Sequence, residues 1–209
     1  ATMRCLMEFY DVEIPKPVLP GLILEVETEE LGIAAGLQDR VIQVYGGLVF
    51  MDFSRDLMER QGYGNYEELD PGLLPPLFLA YRTELGEGSE VVHNNIRQRW
   101  LDGDPEVHQA MRDFAEYAQQ ARDLLVAGRG MEIGPLMDKN FERRRSIMRL
   151  DPGNIEMVET ARSVGAHAKF AGSGGAIVGM YYDENMYRRL CAAMEERGIT
   201  VIRPDIDTP

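Results

Sequence analysis

The sequence predicts an α+β fold in two parts, and three observations predict it. Apolar residues recur at three- and four-residue spacing through much of the chain, the period of an amphipathic helix. Short runs rich in aromatic and β-branched residues, "LVFMDF", "PLFLAYR", "HAKF", "AIVGMYY" and "ITVIRP", interrupt that period and read as strands. A stretch with Gly, Asn and Pro from Tyr63 to Pro76 separates two differently ordered halves. The expected division is therefore residues 1–72 and residues 73–209.

The chain opens directly in a helical pattern, "ATMRCLMEFYDV", with Met3, Leu6, Met7 and Tyr10 on one face and no cap before it. It reads as the continuation of a helix begun upstream. Pro15, Pro17 and Pro20 in "EIPKPVLP" are expected to end that helix, and a short helix through Leu31 follows. "GIAAGLQDR" turns from loop into a helix whose buried stripe is Leu37, Val41, Val44 and Tyr45, at i, i+4, i+7 and i+8. Gly46 and Gly47 stop it, and "LVFMDF" is a strand. Beyond the boundary come the strand "PLFLAYR", a loop at Gly86 and Gly88, and helices over about 89–102, 105–127, 130–149 and 152–164. "HAKF" and "AIVGMYY" flank a glycine turn, "ENMYRRLCAAMEERG" is an amphipathic helix ending at Gly198, and "ITVIRP" is the last strand. Strand, helices, strand, strand, helix, strand is the order of a sandwich related to the ferredoxin-like arrangement.

Composition narrows the function classes. With 44% hydrophobic and 27% charged residues in 209, the chain is globular and long enough to bury a sizeable core. Lys+Arg at 22 against Asp+Glu at 35 gives a net charge of −13, which repels nucleic acid and makes any anionic partner a small one. Lys16, Lys139 and Lys169 are the only lysines, so the positive charge is nearly all arginine, the better side chain for bidentate grip on carboxylate or phosphate. Cys5 and Cys191 lack metal-type spacing and read as free thiols of a cytoplasmic protein. No apolar stretch approaches a membrane span. His93, His108 and His167 have no ligand spacing, so no metal site is expected from histidine.

Three stretches could carry chemistry, each with a plainer alternative. Asp39 sits in the first turn of its helix, where exposed N–H groups favour an acid for structural reasons alone. The same electrostatics would keep a carboxylate ionised to accept a proton from, or orient, a hydroxyl. "KFAGSGGAIVGM" lacks the GK[ST] of a Walker loop and leads into a strand rather than a Rossmann helix. It is either a glycine-rich hairpin or a loop bringing backbone N–H groups and the Ser173 hydroxyl close to a ligand. In "SEVVHNNIRQRW", Arg97 and Arg99 diverge by about 200° on a helix, so one is a candidate site residue and the other faces solvent or an ion pair. Trp100 is expected in the core, and "ERRRSIMR" on a solvated face.

Together "ELGIAAGLQDRVIQVYGGLVFMDF" and "AKFAGSGGAIVGM" resemble two motifs of the GHMP kinase superfamily, in its sugar-1-kinase branch and nearest to the glucuronokinases. "LLPPL", "RQRWLDGD" and "NIEMVE" recur there in the same order, so the resemblance spans nearly the whole chain. It implies the back part of a GHMP kinase N-terminal domain followed by a ferredoxin-like C-terminal α/β sandwich. It implies a phosphotransferase that moves the γ-phosphoryl of ATP, with Mg²⁺, to the anomeric hydroxyl of a uronic acid, glucuronate giving glucuronate 1-phosphate. Asp39 would be the base or orienting anion, with Gly36, Gln38, Arg97 and Arg99 on the sugar acid. Gly172, Ser173, Gly174 and Gly175 would shape the nucleotide cleft.

The family's Pro-x-x-x-Gly-Leu-(Gly/Ala)-Ser-Ser loop, which wraps ATP phosphates at a helix N-terminus, is absent from the 209 residues. An upstream segment or companion chain is expected to carry it. The alternatives are a heptose-phosphate or fucose kinase of the same superfamily, or a non-catalytic binding module that kept the fold and lost ATP.

Overall fold

A computed structural model describes residues 1–33, 35–83 and 90–206, without the side chains of 90–95. The expected loop at Gly86 and Gly88 and the His93 side chain lie outside the described residues. The chain divides into two compact units, Ala1–Pro71 together with the C-terminal Ile206, and Gly72–Asp205.

In the first unit, α1 (Thr2–Tyr10) ends because Asp11 takes a left-handed conformation at φ 53°, ahead of Pro15 rather than at the prolines. None of its residues is buried. Helix α2 (Leu19–Glu25) starts with Pro20 in its first turn, where the missing N–H costs nothing, and widens into a π-turn over Val26–Glu30. Helix α3 (Leu37–Tyr45) buries Val41 and Tyr45, with Leu37 and Val44 half-buried. Arg4 of α1 donates to the Gln43 and Val44 carbonyls at 3.0 and 3.2 Å, satisfying acceptors that the end of α3 leaves free. Strand β1 (Leu48–Asp52) pairs antiparallel with β2 (Asn65–Leu69), from Leu48 opposite Leu69 to Asp52 opposite Asn65, and α4 (Arg55–Gln61) connects them. Neither α4 nor β2 was expected. Residues 65–69 fell in the stretch read as a boundary, because "NYEEL" alternates around acids that mask its period.

The second unit carries β3 (Leu77–Tyr81), α5 (Glu90–Leu101), α6 (Pro105–Val126), α7 (Gly134–Ile147), α8 (Pro152–Ser163), β4 (His167–Phe170), β5 (Ala176–Met180), α9 (Glu184–Glu195) and β6 (Thr200–Ile202). Asp104, Asp151 and Asp183 cap α6, α8 and α9 by accepting backbone N–H bonds at 2.9, 2.7 and 2.7 Å. The sheet order is β4-β5-β3-β6 with every neighbouring pair antiparallel, the ferredoxin-like order expected from the sequence. Alternate residues Phe78, Ala80, Ala168, Phe170 and Ile177 form its apolar layer, packed with Phe141, Met157, Val158, Ala161, Leu190 and Met194 of the helices. Each large side chain sealed there contributes about 1.5–3 kcal/mol of apolar burial. A smaller cluster joins Ile96, Val107, Ala110 and Ile147.

Two sequence expectations fail here. Trp100 is 42% exposed, and its ring stacks on His108 at 3.8 Å and 5°. Ile96, one turn earlier on α5, takes the core position, while the indole satisfies its apolar area against the first turn of α6. The arginines of "ERRRSIMR" are not a uniform solvated face. Arg143 pairs with Asp113 at 2.7 Å, Arg145 with Glu159 at 3.4 Å, and Arg144 turns toward the glycine turn between β4 and β5.

Candidate functional site

The candidate residues fall in both units, Gly36, Gln38 and Asp39 in the first and Arg97, Arg99 and the glycine turn in the second. Gly36 is the N-cap of α3, in extended conformation at φ −123° and ψ 152°, and supplies no side chain to the first turn. A Cβ added there would meet nothing within 4 Å, so the approach to the helix N-terminus is open. Gln38 and Asp39 are both exposed. The Asp39 side chain is 74% exposed, and its one ion-pair contact among the described residues is Arg40 at 3.3 Å. Arg40 is far more buried, pairs with Glu27, and donates to the Gly36 carbonyl at 3.2 Å. It thereby rivets the loop before α3 to the π-turn and leaves Asp39 presented outward on a fixed first turn. Exposed pairs such as Asp39–Arg40 hold weakly, on the order of 0–1 kcal/mol, so the carboxylate is available to a ligand.

In the second unit, the glycine turn is built from both ends. The Ala171 N–H donates to the Ala176 carbonyl at 3.1 Å, and the Gly175 carbonyl accepts from the Arg82 N–H at 3.1 Å. Gly174 and Gly175 have φ of 157° and 74°, conformations that side chains rarely adopt. The buried Asn154 of α8 holds the turn by accepting from the Gly175 N–H at 2.8 Å. A Cβ at 174 would come to 2.9 Å from the Asn154 amide nitrogen. Asn154 lies in the quoted "NIEMVE" stretch, but spacing alone gives no sign that its amide braces a loop beyond the next strand. Among the described residues, the N–H groups of Gly172, Ser173 and Gly174 and the Ser173 hydroxyl donate to no protein acceptor. Three consecutive unpaired N–H groups on a partly exposed turn are available to an anion.

Arg97 and Arg99 diverge on α5. Arg99 binds Asp104 at 2.8 Å and the Ile147 carbonyl at 2.6 Å, and this hydrogen bond holds the Asp104 carboxyl below the ordinary carboxylate range. Arg99 thus ties α5 to the cap of α6 and the end of α7. Arg97 is exposed and has no ion-pair partner among the described residues. Elsewhere on the sheet, His167 joins Asp138 at 2.5 Å and Tyr182 at 3.0 Å, with Arg162 on the same carboxylate at 3.0 Å, a closed network that spans β4, α7 and α8. Among the described residues no group of three or more His, Cys, Asp or Glu side chains is placed to hold a metal ion, and no helix is long and apolar enough to cross a membrane. Cys5 and Cys191 are free.

Comparison with known proteins gives consistent matches. The family described as GHMP kinases C terminal matches residues 121–196. The chain is 50% identical over 184 residues to "Probable glucuronokinase 2" of Arabidopsis thaliana, covering 85% of this chain and 50% of that protein. It is 48% identical over 183 residues to "Glucuronokinase 1" of the same plant, with the same coverage of 85% and 50%. The chain spans about half the length of the curated relatives it matches. Among solved structures, the Lin0012 protein from Listeria innocua superposes with TM-score 0.79 at 13% identity, covering 100% of this chain and 64% of the other. The L. major mevalonate kinase, solved with R-mevalonate, gives 0.68 at 19% identity, covering 98% and 63%. At such identities the likeness is one of fold.

Proposed function

We propose, from the match of residues 121–196 to the family described as GHMP kinases C terminal, that this chain is part of an ATP-dependent sugar kinase that phosphorylates the anomeric hydroxyl of a uronic acid. The observation that carries the reading is the 50% identity, over 85% of this chain, to a protein described as a probable glucuronokinase.

Asp39 is the proposed base or orienting anion for the sugar hydroxyl, supported by its exposure on a braced helix start. Gly36 and Gln38 lie beside it and are the proposed sugar contacts. Of the two arginines, Arg97 is the better placed to meet a carboxylate, since Arg99 is engaged by Asp104 and Ile147. The turn Gly172, Ser173, Gly174 and Gly175 is the proposed wall of the nucleotide cleft, supported by its unpaired N–H groups. Mg²⁺ would enter with ATP, as counter-ion of the nucleotide phosphates. The phosphate-wrapping loop is not among the 209 residues, and a further segment, covalent or separate, is proposed to supply it.

The test is ATP-dependent ADP release with glucuronate, glucose, fucose and a heptose phosphate. The chain would be combined with the half of an Arabidopsis relative that lies outside the matched region. Turnover on glucuronate well above the neutral sugars is expected. Preference for the heptose phosphate would move the substrate class, and no turnover on any sugar would favour a binding module.

A further inference from the structure

The geometry points to an oxyanion site formed by Arg144, Lys169 and the free N–H groups of Gly172, Ser173 and Gly174, which takes a carboxylate or phosphate group of the reaction's ligands. It rests on the kinase reading for the identity of those ligands, not for the existence of the site. Three contacts bring both cations to the same short stretch of chain. The Arg144 guanidinium lies 5.0 Å from the centre of the Phe170 ring and donates to the Gly172 carbonyl at 2.8 Å. The Lys169 ammonium donates to the Phe170 carbonyl at 3.0 Å.

What distinguishes this pair is burial without an anion, since Arg97, which also has no ion-pair partner among the described residues, is exposed. Arg82, Arg99, Arg143, Arg145 and Arg162 of the same unit each sit within 4.0 Å of a carboxylate. Among the described residues, Arg144 and Lys169 have no such partner, and the Arg144 Nε is buried without an acceptor. Both are half-buried. Burial pushes both below their ordinary pKa, and for Lys169 the neighbouring Arg144 charge adds to it. Two half-buried like charges with an unpaired donor are costly as they stand and are relieved by a bound anion. Unpaired backbone N–H groups on the adjoining turn supply neutral donors for the same oxygens. In a chain of net charge −13, such a local cationic spot is where a small anion is held.

The shared chemistry is an oxyanion, and its two sources are the carboxylate of the sugar acid and the phosphates of the nucleotide. Calorimetric titration of the chain at low salt with glucuronate, glucose and inorganic pyrophosphate separates them. Wild type is compared with Arg144→Gln, Lys169→Met and the surface control Arg145→Gln. Wild type and the control should bind at least one of the two anions, with Kd raised tenfold or more in Arg144→Gln and Lys169→Met. Loss confined to glucuronate assigns the sugar carboxylate, and loss of pyrophosphate assigns the nucleotide. Failure of wild type to bind either anion, or equal affinity in the variants, overturns the site. Should the variants fold poorly, the wild-type midpoint of thermal unfolding with and without low-millimolar pyrophosphate or glucuronate, too dilute for a general salt effect, decides. A rise with at least one of the two is expected, and no rise with either sinks the proposal. Because binding is read without turnover, a chain that holds the anion but supports no phosphoryl transfer leaves this site standing and removes only the kinase reading.

Discussion

Asp39 is the residue on which a structural and a chemical role are hardest to separate, since an acid in a first turn stabilises a helix whatever else it does. Its surroundings give each role a different signature. Arg40 braces the loop through Glu27 and the Gly36 carbonyl, so the local fold does not depend on the Asp39 charge. Asp39→Asn should therefore leave the unfolding midpoint nearly unchanged and sugar affinity within a few-fold. It should lower kcat of the assembled kinase by about 10² or more, the scale of losing a positioned acid–base group. Steady-state kinetics decide it, and turnover within a factor of two of wild type returns Asp39 to an ordinary first-turn acid beside the helix dipole. At this scale the sequence singles out Asp39 and the glycine turn by the motifs they stand in, since an acid in a first turn is ordinary by itself. It hides Arg144, Lys169 and Asn154, because an arginine in a charged run and a polar residue in a helix look ordinary until the sheet brings 144, 154 and 169–175 together.

Among the elements, long amphipathic helices and strands with strong apolar content were legible, and α6 to α9 and β3 to β6 lie where period and caps put them. Elements whose faces are acidic or whose partner is a short hairpin were not, as α4 and β2 show. The pairing of β4 with β5 depends on a residue that periodicity does not flag. A Cβ at Gly179 would press into the His167 carbonyl and the Phe78 ring, the one on the neighbouring strand and the other sealed in the core. Backbone cannot yield as a flexible side chain can, so overpacking of about 1–3 kcal/mol or more is expected. Gly179→Ala should lower the unfolding midpoint by several degrees, measured by circular dichroism. It should also loosen the glycine turn, seen as faster amide exchange at Gly175, whose N–H is held by Asn154. An alanine variant as stable as wild type would show that β4 and β5 have room the structure does not give them.

For the whole molecule, each unit carries its own candidate feature, an exposed acid at a helix start in the first and a cation-flanked turn in the second. Phosphoryl transfer relies on positioning and on charge stabilisation around the γ-phosphate more than on covalent chemistry by the protein. On the proposed reading, the loop that wraps those phosphates lies outside the 209 residues, and the stabilisation it would supply lies there with it. The 209 residues alone, mixed with ATP, Mg²⁺ and glucuronate, are therefore expected to release no ADP above background. Folding is a separate matter. Val41 and Tyr45 are already buried within the first unit, while Leu6, Phe9 and Tyr10 of α1 are exposed at 45%, 79% and 68%. Apolar exposure of that kind favours association, so light scattering of the isolated chain should show self-association that the charge-bearing variant Phe9→Glu reduces. Adding the unmatched half of an Arabidopsis relative should restore ADP release. Robust ADP release by the 209 residues alone would show that their own turns cradle the phosphates without a further segment, and would overturn that part of the reading.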